Sequence, residues 1–262
     1  MGTVTSKDGT TIAFEQSGAG PAVILVGGAT QTRAGNADLA ALLAPRFTVY
    51  NHDRRGRGES GDTPPYAVER EVEDIQALIA AAGGSACVYG TSSGSNLALA
   101  AAARGLAITK LALWEPIFSV DAGHPVLPAG YVEHINELVS AGRRGDALEL
   151  FFTQAAGMPA EFVAQMRQAP FWSAMEAVAH TLAYDGAVVE ADMASSPPPR
   201  ERWAAVTMPT LVLDGGTIPH LSGGARAMAS ALPHARHRAL AGQPHNVDAG
   251  VMAPVLAEFF AG

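Results

Sequence analysis

Residues 86–100 constrain the fold more than any other part of this 262-residue sequence. A short apolar run leads into Gly-Thr-Ser-Ser-Gly at residues 90–94, and an alanine-rich pattern with helical spacing follows at once. A strand, a tight turn and a helix in this order form the context in which the serine of Gly-x-Ser-x-Gly becomes an exposed nucleophile. Because such a turn strains the backbone of its central residue, the neighbours have to be small, as Gly90 and Gly94 are. The pattern predicts Ser92 as the nucleophile, and the competing interpretation is an ordinary strand-to-helix turn.

Strand and helix patterns alternate on both sides of this turn. Continuous apolar runs such as residues 22–26 are typical of strands that are covered on both faces of a largely parallel sheet. We therefore predict an α/β protein with a mostly parallel, doubly wound, eight-stranded sheet, whose functional groups lie at the carboxyl ends of the strands. The predicted strands are residues 3–5, 11–16, 22–26, 47–50, the run before Gly90, 108–114, 210–213 and 236–240. The predicted flanking helices are residues 36–44, 68–82, the helix after the turn, 225–232 and 251–260.

The strand pattern is absent between residues 117 and 200. Four segments there have helical spacing and are separated by Gly and Pro, namely residues 131–141, 146–155, 160–168 and 171–183. This part is too long for a simple crossover, and the chain returns to the sheet after it. We predict one domain over residues 1–262 with a helical lid inserted at residues 117–200, and with three prolines at residues 197–199 near the exit of the lid.

Charge and composition exclude several classes of function. The formal net charge of −8 disfavours contact with a phosphate backbone, so we expect no nucleic-acid partner. Cys87 is the only cysteine and can form neither an internal disulfide nor a metal cluster, so it is predicted to be a buried small hydrophobe. No 18 apolar residues run together, and residues 1–11 lack an apolar signal core. These patterns predict a cytoplasmic protein without a membrane span.

A serine nucleophile needs a base that removes its proton, and a histidine near the C-terminus is expected in the chain order serine, acid, histidine. Eight histidines compete for this role. His245 follows the last predicted strand and precedes the final helix, in a loop that lies beside the turn at Ser92 in a doubly wound sheet. His220, near the predicted strand ends, is the alternative, and the others are interpreted as surface, loop or packing residues.

Outside the lid, nearly the whole chain resembles the α/β-hydrolase superfamily. The segments that carry the resemblance are the turn at Ser92, residues 53–60, the Gly-Gly-Ala turn after residues 22–26, the Pro-Thr-Leu-Val-Leu run at 209–213 and the loop around His245. Many members place the triad acid a few residues after the 209–213 run, where this chain has Ile218 and so departs from the common pattern. Members similar to haloalkane dehalogenases and zearalenone lactonases instead carry a glutamate at the end of the strand that follows the helix after the turn, and Glu115 holds that position.

The resemblance therefore implies Glu115 as the acid that accepts the Nδ1–H of His245 and stabilises the imidazolium. Asp214, one residue after its predicted strand, is the alternative acid. A third interpretation gives Glu115 no catalytic role and has it cap the entrance to the lid.

The resemblance also implies an oxyanion hole formed by two backbone amides. One belongs to Ser93, and the other belongs to Ala29, or to Gly28 if the alignment shifts by one residue. The loop at residues 53–60 is expected to brace a strand-to-helix corner through arginine–aspartate pairs. Among the aromatic residues, Trp114, Trp172 and Phe118 are the candidates for the substrate pocket.

Together these residues predict a cofactor-free serine hydrolase that cleaves a carboxylic ester or lactone of a hydrophobic small molecule, with no bound metal. Similarity to zearalenone lactonases supports a lactone only weakly. A lyase or cyclase of natural-product metabolism on the same fold, and a non-catalytic ligand receptor, are the alternatives. Association into a homodimer is left open.

Overall fold

A computed structural model describes residues 1–119, 127–193 and 200–262 of the chain. Its strands are β1 (Gly2–Thr5), β2 (Thr11–Ser17), β3 (Ala22–Val26), β4 (Thr48–His52), β5 (Ala86–Thr91), β6 (Ile108–Trp114), β7 (Thr210–Gly216) and β8 (Ala235–Gln243). They form one eight-stranded sheet in the order β1-β2-β4-β3-β5-β6-β7-β8. The pairs β1–β2 and β2–β4 are antiparallel, and the remaining pairs are parallel. The predicted eight-stranded, mostly parallel sheet is confirmed.

The central strands are short apolar runs because helices cover both of their faces. All six residues of β5 are buried, as are the last four residues of β3 and of β6. The edge is different, since β1 alternates between half-buried and exposed residues. A tight turn that includes Asp8 and Gly9 joins β1 to β2, and Gly9 has a φ of 89°. Cys87 lies buried in β5 as predicted, and burial raises the pKa of its thiol.

Helices cover both faces of the sheet. In chain order, the first three are α1 (Ala37–Leu43), α2 (Val68–Ala81) and α3 (Ser93–Ala103). Next along the chain come α4 (Tyr131–Ser140), α5 (Arg144–Leu150), α6 (Ala160–Met166), α7 (Trp172–Ala177) and α8 (Leu182–Met193), and the last two helices are α9 (Pro219–Ala231) and α10 (Ala249–Ala261). Apolar residues of α2, α3, α8 and α9 pack on one face of the sheet, and those of α1 and α10 pack on the other. This arrangement is that of a doubly wound sheet.

Five helices, α4 to α8, follow β6 and precede β7 in the described part of the chain. Four helical segments were predicted here, and the last of them, residues 171–183, is divided in the structure into α7 and a short 3-10 turn at Ala179–Thr181. The helix α8 was not predicted. Most of its residues are buried, so it lacks the polar face on which a helical pattern depends. The prolines at residues 197–199 lie outside the described residues.

The helices of this insertion have their own apolar core. Its members include Tyr131, Leu148, Phe152, Trp172 and Leu182. Among the described helices, none combines the length and the apolar character needed to cross a bilayer.

Candidate active site

The turn between β5 and α3 exposes Ser92 at the carboxyl edge of the sheet. Ser92 has a φ of 55°, and its backbone N–H donates to the carbonyl oxygen of Trp114 at 2.9 Å. The Ser95 hydroxyl bonds that same carbonyl at 3.0 Å and the carbonyl of Gly90 at 2.7 Å. These bonds tie the turn to the end of β6.

Close backbone contacts explain both glycines of the motif. A Cβ at Gly90 would lie 2.5 Å from the carbonyl oxygen of Gly94, and a Cβ at Gly94 would lie 2.5 Å from the carbonyl oxygens of Val26 and Gly27. Real Cβ atoms do not approach backbone atoms this closely, so each position requires glycine. The start of α3 therefore packs directly on the loop that follows β3.

Glu115 and His245 are in direct contact. The His245 Nδ1 and the Glu115 Oε2 are 2.5 Å apart, and the other carboxylate oxygen accepts the backbone N–H of Gly215 at 3.0 Å. Glu115 is 0% exposed, and the Trp114 indole donates to the carbonyl oxygen of His245 at 2.8 Å. Because a carboxylate only accepts hydrogen bonds, this contact places the ring proton on Nδ1 and leaves Nε2 as a base.

Ser92 and His245 line one cavity with a volume of about 580 Å³. The two side chains make no direct hydrogen bond, and Ser92 Oγ has no hydrogen-bond partner within the described ranges. Hydrogen bonds of catalytic groups are often long without substrate and shorten in the complex. His220, the alternative histidine, also lines the cavity.

Two backbone amides beside Ser92 are not used by hydrogen bonds within the described protein. The N–H groups of Ala29 and Ser93 make no hydrogen bond to any residue that the structure describes. The N–H of Gly28, by contrast, donates to Oε1 of Gln31 at 2.9 Å. Ala29 and Ser93 therefore offer N–H donors to a ligand, and the Gly28 amide is already satisfied.

Asp214, the alternative acid, is not brought to His245. Its carboxylate accepts the Ser222 hydroxyl at 2.6 Å and the Gly216 N–H at 2.8 Å, and it contacts His237 Nε2. Burial would raise the pKa of Asp214, but the bonds from Ser222 and His237 outweigh it and lower the pKa below its ordinary value. The aspartate thus belongs to a separate cluster between β7, β8 and α9.

The three aromatic candidates have different surroundings. Phe118 lines the cavity, whereas neither Trp114 nor Trp172 does. Trp114 is the last residue of β6, and the alternation along that strand directs its side chain to the face covered by α1 and α10. Trp172 packs on Phe152 inside the core of the insertion. The sequence identifies these aromatic residues, but its patterns do not show whether each side chain faces the cavity or the core.

The cavity wall is mainly apolar and comes largely from the insertion. The side chains that the sequence patterns did not single out include Tyr131 and four methionines, Met158, Met166, Met175 and Met193. Among the described residues of the wall, Asp185 is the one Asp or Glu, and His220 and His245 are the histidines. Neither Lys nor Arg lines the cavity within these ranges. No group of three or more His, Cys, Asp or Glu side chains there could hold a metal ion.

Backbone strain is concentrated at this site. Thr30, Ser92 and Glu115 have φ values of 60°, 55° and 43°, and they are the non-glycine residues with positive φ in the described part of the chain. Ser92 and Thr30 line the cavity, and Glu115 holds His245. Strained residues of this kind persist where the surrounding structure fixes them, and they cluster at functional sites.

Comparison with known proteins agrees with this architecture. A family model described as the alpha/beta hydrolase family matches residues 23–253. The chain is similar to the crystal structure of an alpha/beta hydrolase from Sphaerobacter thermophilus DSM 20745, with 54% identity, 99% and 100% of the two chains covered, and a TM-score of 0.92. No match was found among curated proteins.

More distant structures share the fold. One is a thermophilic esterase from Thermogutta terrifontis, with 24% identity, a TM-score of 0.74 and coverage of 99% of this chain and 97% of that chain. Another is the enol-lactonase from Burkholderia xenovorans LB400, with 22% identity, a TM-score of 0.73 and both chains covered in full at 100%.

Proposed function

Since the chain belongs to the α/β-hydrolase family, we propose that it is a serine hydrolase that cleaves a carboxylic ester or lactone of a neutral, hydrophobic small molecule. The observation that carries this proposal is the 2.5 Å contact between His245 and the fully buried Glu115, at the edge of a cavity that Ser92 also lines. The esterase and the enol-lactonase among the similar structures support the same class of substrate.

The reaction would begin with attack of the Ser92 Oγ on the substrate carbonyl carbon. His245 Nε2 takes the hydroxyl proton as the new C–O bond forms, and Glu115 stabilises the resulting imidazolium. The carbonyl oxygen becomes an oxyanion that the amides of Ala29 and Ser93 bind. His245 then gives its proton to the leaving alkoxide, and the acyl group stays on Ser92.

Hydrolysis of the acyl-enzyme repeats these steps with water. His245 removes a proton from the water as it attacks the acyl carbon, and the same two amides bind the second oxyanion. Collapse of this intermediate returns the proton to Ser92 Oγ and releases the acid. In a lactone the leaving alcohol stays attached to the acyl group, so a single ring-opened product would leave.

The described helices α4 to α8 of the insertion would act as a lid over Ser92. Phe118, Phe152 and Val189 give the cavity an apolar wall, and about 580 Å³ suits a substrate of small to medium size.

A panel of p-nitrophenyl esters and lactones, assayed on the parent protein and three variants, tests the proposal. Ser92→Ala is expected to lower turnover by about 10⁴ to 10⁶ because the acyl-enzyme can no longer form. Glu115→Gln is expected to lower kcat by about 10³ or more, since the amide disturbs the tautomer and the charge of His245. Asp214→Asn is the matched control, and it should lose far less activity than Glu115→Gln.

The reverse ranking of the two acid variants would contradict the role of Glu115. A fluorophosphonate adduct on Ser92 without turnover of any ester or lactone would contradict hydrolysis and favour the lyase. Stoichiometric binding without product release would favour the receptor.

A further inference from the structure

A buried ionic cluster lies next to the oxyanion site. We name it the Arg–Asp cluster, and its members are Arg54, Arg57, Glu71 and Asp185. Arg54 forms two hydrogen bonds with Glu71 at 2.7 and 2.8 Å and one with Asp185 at 2.7 Å, and Arg57 reaches the other Asp185 oxygen at 2.7 Å. All four side chains are almost fully buried. Two cations and two anions balance, so the cluster carries no net charge.

The cluster extends to the backbone of the loop after β3. Arg57 Nη1 donates to the carbonyl oxygen of Gly28 at 2.5 Å, and Arg54 Nη1 donates to that of Gly27 at 3.2 Å. The Gly28 carbonyl and the Ala29 N–H belong to the same peptide group. Because a trans peptide is planar, a bond that fixes the carbonyl also fixes the N–H, which points in the opposite direction.

We propose that Arg57 is a positioning residue for the oxyanion hole, an inference that rests on the proposed function. Its guanidinium holds the Gly28–Ala29 peptide so that the Ala29 N–H faces the oxyanion formed at Ser92. The contact has an electronic consequence as well, since a cation on the carbonyl oxygen polarises the peptide and strengthens the N–H as a donor.

The position of Gly28 makes this geometry sensitive to small displacements. A Cβ built on Gly28 would lie 3.0 Å from the Ser92 Cβ and 3.7 Å from its Oγ, so the peptide held by Arg57 packs directly against Ser92. A shift of this peptide would change the distance between the Ala29 N–H and the reacting carbonyl oxygen.

Asp185 connects the second oxyanion donor to the same cluster. Its Oδ1 accepts the hydroxyl of Ser93 at 2.7 Å, and the N–H of Ser93 is the other amide of the site. Burial would raise the pKa of Asp185, but the Arg57 and Arg54 charges and the Ser93 hydroxyl outweigh it and lower the pKa, so the carboxylate stays ionised. One carboxylate of α8 thus holds both Arg57 and Ser93.

Arg57 makes more contacts than a lysine could. Its guanidinium also donates to Thr181 Oγ1 at 3.1 Å and to the carbonyl oxygen of Gln31 at 3.3 Å. Lysine keeps the charge but carries all its N–H donors on one nitrogen at the end of a flexible stem, so it cannot hold Gly28 and Asp185 in the same planar arrangement. Arg57→Lys therefore separates positioning from charge.

Arg55→Lys is the matched control. Arg55 lies in the same loop and is buried, but its hydrogen bonds among the described residues go to Asp74, Asp8 and the carbonyl oxygen of Arg70, and none goes to the loop after β3. Both variants are assayed with p-nitrophenyl hexanoate and inhibited with phenylboronic acid, which forms a tetrahedral adduct with an active serine. Thermal unfolding of each variant reports its stability.

For Arg57→Lys we expect kcat to fall by about 10- to 100-fold and the boronic acid inhibition constant to rise by a similar factor. KM should stay within about 3-fold, because ground-state binding does not need the oxyanion donors. Arg55→Lys should change none of the three values by more than about 3-fold, even if its Tm falls. Equal kinetic effects of the two variants, or an unchanged inhibition constant in Arg57→Lys, would overturn the proposal.

Two further measurements apply if Arg57→Lys does not fold. Asp185→Asn keeps the size of the side chain but weakens its hydrogen bonds with Arg57 and Ser93. It should therefore raise the boronic acid inhibition constant, as Arg57→Lys is expected to do. In the unmodified protein, the amide resonance of Ala29 should shift on binding phenylboronic acid, and a resonance that does not move overturns the proposal. If the parent protein shows no Ser92-dependent ester hydrolysis, the proposed function itself is contradicted. If the parent is active but the Arg57 and Arg55 variants behave alike, only the role of Arg57 is contradicted.

Discussion

Glu115 and Asp214 lie near the carboxyl ends of neighbouring strands, and the backbone at each residue decides where its carboxylate lies. Glu115 follows the last residue of β6 and has a φ of 43°, which ends the alternation of the strand and allows the side chain to reach His245. Asp214 is still part of β7, and its carboxylate bonds Ser222 and His237. A single strained residue therefore selects which of two buried carboxylates contacts the histidine.

His52 gives a prediction about stability at acid pH. The ring is fully buried at the end of β4, and its Nδ1 has no partner in the described ranges. Burial, together with the nearby charge of Arg54, lowers the pKa of His52 from 6.5 to about 4. The unfolded chain thus binds a proton more tightly than the folded chain does. The stability that the neutral ring contributes is complete above pH 6.5 and is lost as the pH falls toward 4.

We expect the free energy of unfolding to fall by about 2 kcal/mol between pH 7 and pH 5 through this residue alone. Urea unfolding at several pH values measures it. In His52→Gln, which cannot titrate, that part of the slope should vanish even if the variant is less stable throughout. His134→Gln, at an exposed position on α4, is the control and should keep the parental slope. Identical slopes in the parent and in His52→Gln would exclude this role of His52.

At the scale of elements, α3 is the helix that joins the sheet to the insertion. Asn96 on α3 is 1% exposed, and its side chain accepts the N–H of Ile117 at 2.9 Å and donates to the carbonyl oxygen of Ile117 at 2.8 Å. It also donates to Asp192 on α8 at 2.8 Å. One amide therefore holds both the first residues after β6 and the end of α8.

Asn96→Ala is expected to lower the free energy of unfolding by about 2 to 4 kcal/mol, because it leaves the backbone N–H and carbonyl of Ile117 and the Oδ2 of Asp192 without the partners that Asn96 provides. Chemical denaturation gives the total, and hydrogen exchange should show the largest loss of protection in α8. The matched control is Asn136→Ala, at an exposed site on α4, which should change stability by less than about 0.5 kcal/mol. A loss of protection spread evenly over the sheet would argue against a local link between α3 and α8.

At the scale of the molecule, two electrostatic effects oppose a negatively charged substrate. The chain has a formal net charge of −8, and no Lys or Arg lines its cavity in the described ranges, where the two arginines that neutralise Asp185 are almost fully buried. The first effect acts over long range and is screened by salt, whereas the second acts by desolvation inside the cavity and is screened much less. Salt dependence can therefore separate them.

We expect kcat/KM for p-nitrophenyl hexanoate to exceed that for the adipate half-ester by about 100-fold, because the cavity offers the second carboxylate no cationic partner. The two esters have chains of the same length, and the assay is repeated at high ionic strength to remove long-range repulsion. Val189→Lys, which adds a cation to the wall, should narrow the ratio. Equal kcat/KM values for the two esters in the parent protein would contradict a cavity built for neutral substrates.

Local patterns predicted the sheet, the turn at Ser92 and most helices, because each depends on residues close together in the sequence. The close contacts at Gly90 and Gly94 are of this kind, since they follow from the steric demands of one turn. Helix α8 was missed because it is buried nearly all round and so lacks a polar face. The wall of the cavity could not be predicted, since its four methionines, one in a loop and three on separate helices, have no sequence pattern in common.

The sequence by itself determined the α/β architecture and singled out Ser92 and His245, since strand periodicity, glycine spacing and chain order are local or sequential properties. Glu115 was implied by the resemblance to the α/β-hydrolase superfamily. Only the tertiary structure decided which carboxylate contacts His245, which face of the sheet Trp114 covers, and that Asp185 joins Arg57 and Ser93. Arg57 and Asp185 are 128 positions apart in the chain, and their contact exists because packing of the insertion buries both charges together. Pairings of this kind depend on the complete fold, and no local propensity encodes them.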